Sequence, residues 1–152
     1  MNLCILAVGK LREAYWRAAA DEYEKRLSRF GRIACLEVPD RPEADPARAL
    51  REEGLDLLRR IREDDIVVAL CIQGKALSSP QLAEALAQHE GSGRRVVFVI
   101  GGSLGLAPEV VARAQLRLSF SPMTFPHQLA RILLLEQLYR ACKINAGERY
   151  HK

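Results

Sequence analysis

The sequence lacks the features of a membrane-bound, secreted or zinc-binding protein. No apolar run approaches the roughly 20 residues that a membrane helix needs, and the apolar segment 2–8 is too short for a signal peptide. No two cysteines stand in a CxxC spacing, which argues against a zinc site. We therefore predict no metal, no membrane partner and a cytoplasmic protein whose thiols are reduced. The thiols are Cys4, Cys35, Cys71 and Cys142.

A strong excess of one charge is also absent. The chain carries 23 Lys and Arg against 19 Asp and Glu, a net charge of +4, and its cations are scattered rather than gathered in a tail. This mild excess is compatible with a nucleic-acid partner but does not require one. With 152 residues, 49% of them hydrophobic, the chain can bury one core, and we predict a single domain over residues 1–152.

Five short apolar runs predict buried strands, and a helical pattern follows each of them. The runs lack the alternation of a strand with one wet face, which is typical of a parallel sheet covered by helices on both faces. The sequence therefore predicts an α/β fold, and general rules of chain topology favour an ordinary, unknotted one. The predicted strands are Leu3–Val8, Ile33–Val38, Ile66–Ile72, Val96–Ile100 and Leu116–Phe120.

Capping residues mark where several helices begin. We expect Asp45 to cap the second helix with Pro46 at its first position, and Ser79 to cap the third with Pro80 following. The last predicted helix, His127–Ile144, is apolar on more than one face. That surplus indicates either a subunit interface or deeper burial within the monomer.

Two loops that follow predicted strands are candidate ligand sites, because ligands bind at the carboxyl ends of parallel strands. Gly101, Gly102 and Gly105 either admit a ligand close to the backbone or simply turn the chain. Their spacing is not GxGxxG and lacks the lysine and hydroxyl of a P-loop, which weakens a dinucleotide or ATP interpretation. The second loop, Phe120–Pro126, either lines a pocket or packs over the core, and His127 after it is interpreted as a satisfied structural histidine.

Several motifs, in order along the whole chain, match one known family. They include the start Leu6–Leu11, the segments Tyr23–Leu27 and Gln73–Lys75, the turn Ile100–Gly105, the loop Ser119–His127, the helical segment Glu136–Ala141 and the ending Tyr150–Lys152. With these residues the sequence resembles the RlmH family, SPOUT-class methyltransferases that act on N3 of a pseudouridine in 23S ribosomal RNA.

The resemblance implies a SPOUT fold with a C-terminal trefoil knot, which the residue patterns alone do not predict. It also implies S-adenosylmethionine (SAM) as cofactor, ribosomal RNA in the ribosome as partner, and a homodimer. Together with the glycine turn, it assigns cofactor binding largely to backbone groups at two strand ends and the second loop. The residues concerned are Leu70, Gly101, Gly102, Phe120, Ser121, Pro122, Met123, Thr124 and Phe125.

No side chain stands out as the base that removes the N3 proton. We predict catalytic roles for Tyr150, His151 and Arg140, because an aromatic ring stacks on a base, an imidazole moves a proton and a guanidinium holds a phosphate. Solvent acting as the base, with an idle, frayed tail, is the alternative. Two other classes stay open: a non-catalytic ribosome-associated RNA-binding factor, and a Rossmann-type oxidoreductase, which the missing GxGxxG argues against.

Overall fold

Five strands form one sheet in the structure, a computed structural model that describes residues 1–149. They are β1 (Asn2–Val8), β2 (Arg32–Val38), β3 (Ile66–Ala76), β4 (Val96–Ile100) and β5 (Leu116–Ser119). Their order across the sheet is β2-β1-β4-β3-β5, and each neighbouring pair is parallel. The predicted parallel sheet is therefore confirmed, and the carboxyl ends of β4, β3 and β5 lie side by side.

Helices cover both faces of the sheet, as the apolar runs predicted. The helices are α1 (Ala14–Leu27), α2 (Pro46–Arg60), α3 (Ser79–Ala87), α4 (Pro108–Arg113) and α5 (His127–Asn145). Residues of α1, α3 and α5 share one apolar cluster with the sheet, and residues of α2 and α4 share the other. Within residues 1–149, no helix is long and apolar enough to cross a membrane.

The central strands contribute to both clusters because successive side chains of a strand point to opposite faces. In β1, Ile5 joins the cluster under α1, α3 and α5, whereas Leu6 joins the cluster under α2 and α4. In β4, Phe98 and Val97 divide in the same way, and both are fully buried. Each buried side chain of this size stabilises the fold by about 1.5–3 kcal/mol relative to exposure. The two-sided burial explains why these runs show no alternation.

The caps follow the sequence closely, with one shift. Asp45 caps α2, and its Oδ1 accepts the Arg48 amide at 3.2 Å as predicted. The cap of α3 is Ser78, so the prediction of Ser79 is wrong by one residue. Ser78 is favoured because Gln81 stands three positions later and completes a capping box, with Oε1 of Gln81 accepting the Ser78 amide at 2.8 Å.

The third strand continues beyond its predicted end at Ile72, and β5 stops one residue early, at Ser119. β3 bulges between Leu70 and Lys75, so that both of these residues pair with Leu118 of β5. A Cβ at Gly74 would lie 2.8 Å from the Leu118 carbonyl carbon, so glycine permits this close approach of the two backbones. The polar sequence Gln73–Lys75 hid the extension, because it lacks the apolar residues that marked the other strands.

Some of the surplus apolar residues of α5 are buried within the monomer, and others remain available for a subunit interface. Tyr139 packs inside the monomer, with ring centroids 6.4 Å from Tyr23 and 6.2 Å from Phe30. Leu129 and Leu133 are half-buried and belong to neither apolar cluster. Deeper burial therefore accounts for part of the surplus, and the remainder stays exposed enough to meet another molecule.

The amino ends of β3 and β4 are closed by a buried ion pair. The Asp65 side chain is 1% exposed, and its Oδ2 lies 2.6 Å from Nη2 of Arg95. The Arg62 amide donates to the same oxygen at 2.7 Å. Arg113 donates to the Asp65 carbonyl at 3.2 Å, and the Val67 amide donates to Gln115 at 2.7 Å. These bonds fix the start of three neighbouring strands.

Candidate active site

The carboxyl ends of β4, β3 and β5 surround a cleft of about 580 Å³. Ile100 at the end of β4, Ser119 at the end of β5 and Leu70, where the β3 bulge begins, all line it. The remaining lining residues are Cys71, Ile72, Gln73, Gly101, Gly102, Ser103, Leu104, Gly105, Leu106, Val111, Arg117, Leu118, Phe120, Ser121, Met123, Thr124, Phe125, His127 and Ala130. The structure thus gathers here every residue predicted to bind the cofactor except Pro122, which is exposed beside the cleft.

The glycine turn forms one wall, and its own geometry explains the glycines. A Cβ on Gly101 would lie 2.3 Å from the carbonyl oxygen of Gly105, so any side chain there collides with the turn itself. Gly105 has φ of +78°, a backbone conformation that glycine adopts at little cost. Its amide donates to the Gly102 carbonyl at 3.1 Å and closes the turn. The chain-turning explanation is therefore sufficient for Gly101, and close approach of a ligand is not needed to account for it.

The second wall is the loop Phe120–Pro126, which lines the cleft as predicted and bonds mainly to itself. The Ser119 hydroxyl donates to the Ser121 carbonyl at 3.2 Å, and the Met123 amide donates to the Ser121 hydroxyl at 3.0 Å. Phe120 and Phe125 are half-buried, whereas Met123 is 72% exposed. The loop offers aromatic surface to the cleft and an exposed thioether to the solvent.

The cleft contains few ionisable groups. Arg117 is its one permanently charged side chain among residues 1–149, and it is exposed at the edge strand β5. His127 is half-buried, and its imidazole makes no hydrogen bond within the described part of the chain. The interpretation of His127 as a satisfied structural histidine is therefore wrong, because it begins α5 at the rim of the cleft rather than in the core.

Sequence reasoning missed further lining residues. Ile72 and Gln73 were placed at or beyond the end of a strand, yet they stand in the β3 bulge that faces the cleft. The motif Gln73–Lys75 was a signal for them, although no role was assigned to it. Ala130 lies one turn into α5 and was read only as part of an apolar helix.

The predicted catalytic residues are not all placed by the structure. Arg140 lies on α5, where its Nη2 is 2.6 Å from Oε1 of Glu136, and it does not line the cleft. The bridge is partly buried, with 28% of the Arg140 side chain exposed. Tyr150 and His151 lie outside the described residues.

The start of α5 is fixed to the end of β1, which sets one side of the cleft. Arg131 is buried, its Nη2 donating to the Gly9 carbonyl at 2.9 Å and its Nη1 lying 2.5 Å from Oε2 of Glu37. The Arg12 amide donates to Oε1 of Gln128 at 3.2 Å. These bonds hold the β1–α1 loop against the helix that carries His127.

Residues 1–149 contain no group of three or more His, Cys, Asp and Glu side chains placed to hold a metal ion. Burial raises the pKa of the Cys142 thiol to about 11, and it also raises the pKa of Cys4. Thiols held in the protonated form are poor nucleophiles and poor metal ligands. Cys4 and Cys142 are therefore unsuited to act as nucleophiles or metal ligands.

Comparison with known proteins gives a consistent family match. A family model described as predicted SPOUT methyltransferase matches residues 1–151. A protein of Bifidobacterium animalis subsp. lactis named ribosomal RNA large subunit methyltransferase H is 51% identical over 159 aligned positions, covering 100% of both chains. Proteins of the same name from Clostridium novyi and Oenococcus oeni are 49% and 47% identical, covering 100% of this chain and 100% and 99% of their own lengths.

Two solved structures share the fold at much lower identity. A probable methylase family protein from Haemophilus influenzae has a TM-score of 0.54 and 13% identity, covering 99% of this chain and 70% of its own. TrmJ from Z. mobilis has a TM-score of 0.52 and 18% identity, covering 91% of this chain and 68% of its own. These likenesses support the predicted fold class, while the trefoil knot stays a prediction.

Proposed function

The chain belongs to the SPOUT methyltransferase family, and we propose that it transfers a methyl group from SAM to N3 of a pseudouridine in 23S ribosomal RNA. The family membership implies a methyl donor, and full-length relatives at 51% and 49% identity carry the name of a ribosomal RNA methyltransferase. A non-catalytic ribosome-associated factor and a Rossmann-type oxidoreductase are not favoured by these matches.

The observation that carries the proposal is the convergence of the predicted cofactor residues on one cleft. Its volume of about 580 Å³ falls within the roughly 300–1,000 Å³ of small-molecule sites. Phe120, Phe125 and Leu70 give apolar surface for a purine, and the turns at Gly101–Gly105 and Ser119–Ser121 give backbone donors and acceptors. The donor set therefore fits a cofactor held largely by main-chain groups.

SAM, when bound, supplies an electrophilic methyl group on its sulfonium. The chain must hold the acceptor nitrogen in line with that methyl and take up the N3 proton. His127 at the rim offers an imidazole nitrogen as a proton acceptor. Arg117 at the edge strand offers a cation for a phosphate of the RNA. We propose that Tyr150 stacks on a base and that His151 moves a proton. Arg140 is proposed to hold a phosphate of the RNA.

A chain ending at Arg149 tests the role of the tail. We expect it to fold and to bind S-adenosylhomocysteine (SAH) normally, because the described core and cleft lie within residues 1–149. We expect it to lose methylation of ribosomes. A His127→Ala variant of the full chain provides the comparison: if the truncated protein is fully active and His127→Ala is not, proton transfer belongs to the cleft and the tail is idle.

The homodimer is proposed from the apolar surface that the monomer leaves uncovered. Leu133 lines a second, smaller cavity of about 360 Å³ with Phe120 and Phe125, and Leu129 stands one turn earlier on α5. A second copy of the chain on this surface would complete the burial of α5 next to the active site. Sedimentation at micromolar concentration should give twice the 17.0 kDa of the monomer, and a 17.0 kDa species would contradict it.

Mass spectrometry of ribosomal RNA tests the reaction itself. RNA from cells without the gene should lack one methylated pseudouridine, and purified protein with SAM should restore it on ribosomes.

Calorimetric titration tests the cofactor, and it should show binding of SAM and no binding of NADH. Absence of SAM binding would favour the RNA-binding factor, and binding of NADH would favour the oxidoreductase. We propose that the protein methylates ribosomal RNA in the cytoplasm, where ribosomes are found.

A further inference from the structure

One carboxyl group inside the protein lacks the partner that its burial requires. Glu53 of α2 is 2% exposed. Its Oε2 accepts the Arg41 amide at 2.9 Å, but its Oε1 is buried and meets no hydrogen-bond donor within residues 1–149. A buried polar atom without a partner costs about 1–3 kcal/mol, and such an atom in a native protein needs an explanation.

The neighbours of Glu53 supply that explanation. The Asp40 carboxyl group lies within hydrogen-bonding reach of the Glu53 side chain, and Glu43 adds a further negative charge. Arg41, whose amide meets Glu53, directs its guanidinium away to Asp56, 2.6 Å from Nη2 to Oδ2. The next residue of α2, Gly54, packs against the apolar Ala107. Two adjacent acids with no cation between them share a proton most readily.

The same loop touches the glycine turn of the cleft. A Cβ on Gly102 would lie 3.7 Å from Oδ1 of Asp40, which places that carboxyl group directly behind the turn. The Ser103 hydroxyl donates to Oε1 of Glu43. The loop Pro39–Glu43 therefore stands between the buried Glu53 and the wall of the cleft.

We propose that Glu53 is a positioning residue: its protonated carboxyl group donates a hydrogen bond to the Asp40 carboxylate and so holds the loop Pro39–Glu43 against Gly102 and Ser103. The proposal rests on the proposed function, because the wall it positions is that of the cofactor cleft. Burial, followed by the nearby acids, raises the pKa of Glu53 above its ordinary value, against the lowering effect of the Arg41 amide. Ionised Glu53 would instead repel Asp40 and loosen the turn.

Two substitutions of Glu53 test whether its carboxyl group acts as a hydrogen-bond donor or as a buried charge. Glu53→Gln keeps the volume, a donor for Asp40 and an acceptor for the Arg41 amide, so SAH should bind within about twofold of wild type. Glu53→Leu keeps the volume but removes the hydrogen bonds, and we expect SAH affinity to fall roughly 2- to 30-fold. Glu63→Gln, which removes an equal charge at an exposed site, is the control. Thermal melts of each variant confirm that it is folded.

Carbon NMR of the carboxyl groups provides the second measurement and needs no cofactor. The signal absent from Glu53→Gln identifies Glu53, and we expect its pKa to lie above the ordinary value of about 4.3. Titration at the ordinary value overturns the proposal, as does Glu53→Leu binding SAH like wild type or Glu53→Gln binding as poorly as Glu53→Leu. If the wild type itself binds no SAH, the proposed function fails, and the NMR titration still decides the state of Glu53.

Discussion

The two ends of the same three strands are built for opposite purposes. At the amino ends, Asp65 and Arg95 pair in a buried, fully bonded contact that joins β3 to β4. At the carboxyl ends, the strands open into a cleft of about 580 Å³ whose walls are turns. The sheet is closed by side-chain bonds at its amino ends, and the unfilled volume lies at the carboxyl ends, beside the backbone of the two turns. We therefore expect stability and cofactor binding to depend on separate residues.

The largest effect on stability is expected from breaking the Asp65–Arg95 ion pair at the amino ends of the strands, which we call the sealed end. Asp65→Asn leaves the guanidinium of Arg95, with 10% of its side chain exposed, without a counter-charge. Removing one member of a buried pair costs about 3–5 kcal/mol, so the free energy of unfolding should fall by that amount in denaturant titrations. SAH binding by the folded fraction should not change. Asp64→Asn, at an exposed neighbour, should have little effect on stability.

At the open end, Gly101→Ala should weaken SAH binding and also lower stability. The new Cβ overlaps the Gly105 carbonyl, which forces the turn to move at a cost of about 1–3 kcal/mol. We expect SAH affinity, measured by calorimetry, to fall about tenfold or more, equal to about 1.4 kcal/mol. Gly91→Ala is the control, since Gly91 has φ of +80° and open space around it. If both variants bind SAH alike, the turn is not a wall of the cofactor site.

The two ends should also differ in how their acids respond to pH. Burial alone raises the pKa of Asp65, but the Arg95 side chain and the Arg62 amide outweigh it and hold that pKa below its ordinary value. The stability this acid contributes is complete above the unfolded pKa of about 3.9 and is lost as the pH falls through the lower, folded value. Glu53, whose pKa is raised, has the opposite sign and opposes folding as the pH rises.

Denaturant titrations at several pH values check this difference. Wild type should lose stability below about pH 4, and Asp65→Asn should lose less over that range. As the pH rises above the unfolded pKa of about 4.3, Glu53→Gln should gain stability relative to wild type, because the wild-type carboxyl group must ionise in a buried position. Equal pH profiles for wild type and Asp65→Asn would show that the buried pair does not control the acid response.

The smallest effect on folding is expected at Met123, on the exposed side of the second loop. Because this side chain is 72% exposed, Met123→Ala should change the free energy of unfolding by less than about 0.5 kcal/mol. SAH affinity should stay within about twofold, while methylation of ribosomes slows, since an exposed apolar side chain beside the cleft suits contact with RNA or a second subunit. An unchanged methylation rate would leave Met123 without a function.

Sequence patterns predicted the sheet better than they predicted the site. Continuous apolar runs such as Val96–Ile100 identify strands because a strand buried on both faces permits little else. The sequence patterns did not predict the bulge at Ile72 and Gln73, because it depends on how closely β3 and β5 approach at Gly74. The burial of Glu53 was not predicted for a different reason. A helical pattern assigns charged residues to the exposed face, and only the fold shows that this acid is buried.

The residues of the candidate cofactor site were predicted mainly from the family resemblance. Position after a strand was enough to select Gly101–Gly105 and Phe120–Pro126, but it did not distinguish a ligand wall from a simple turn. The contribution of Arg117 and His127 depends on β5 and α5 meeting at one rim, a tertiary contact that no local pattern contains.

The most direct test of this division is an NMR map of the amides that shift when SAH binds. We predict that the shifts concentrate at Leu70–Gln73, Gly101–Leu106 and Ser119–Phe125, around the carboxyl ends of the strands. Amides of Asp65, Arg95 and Gln115 at the sealed end should not move. Shifts centred on the sealed end, or none at any residue at saturating SAH, would contradict the account.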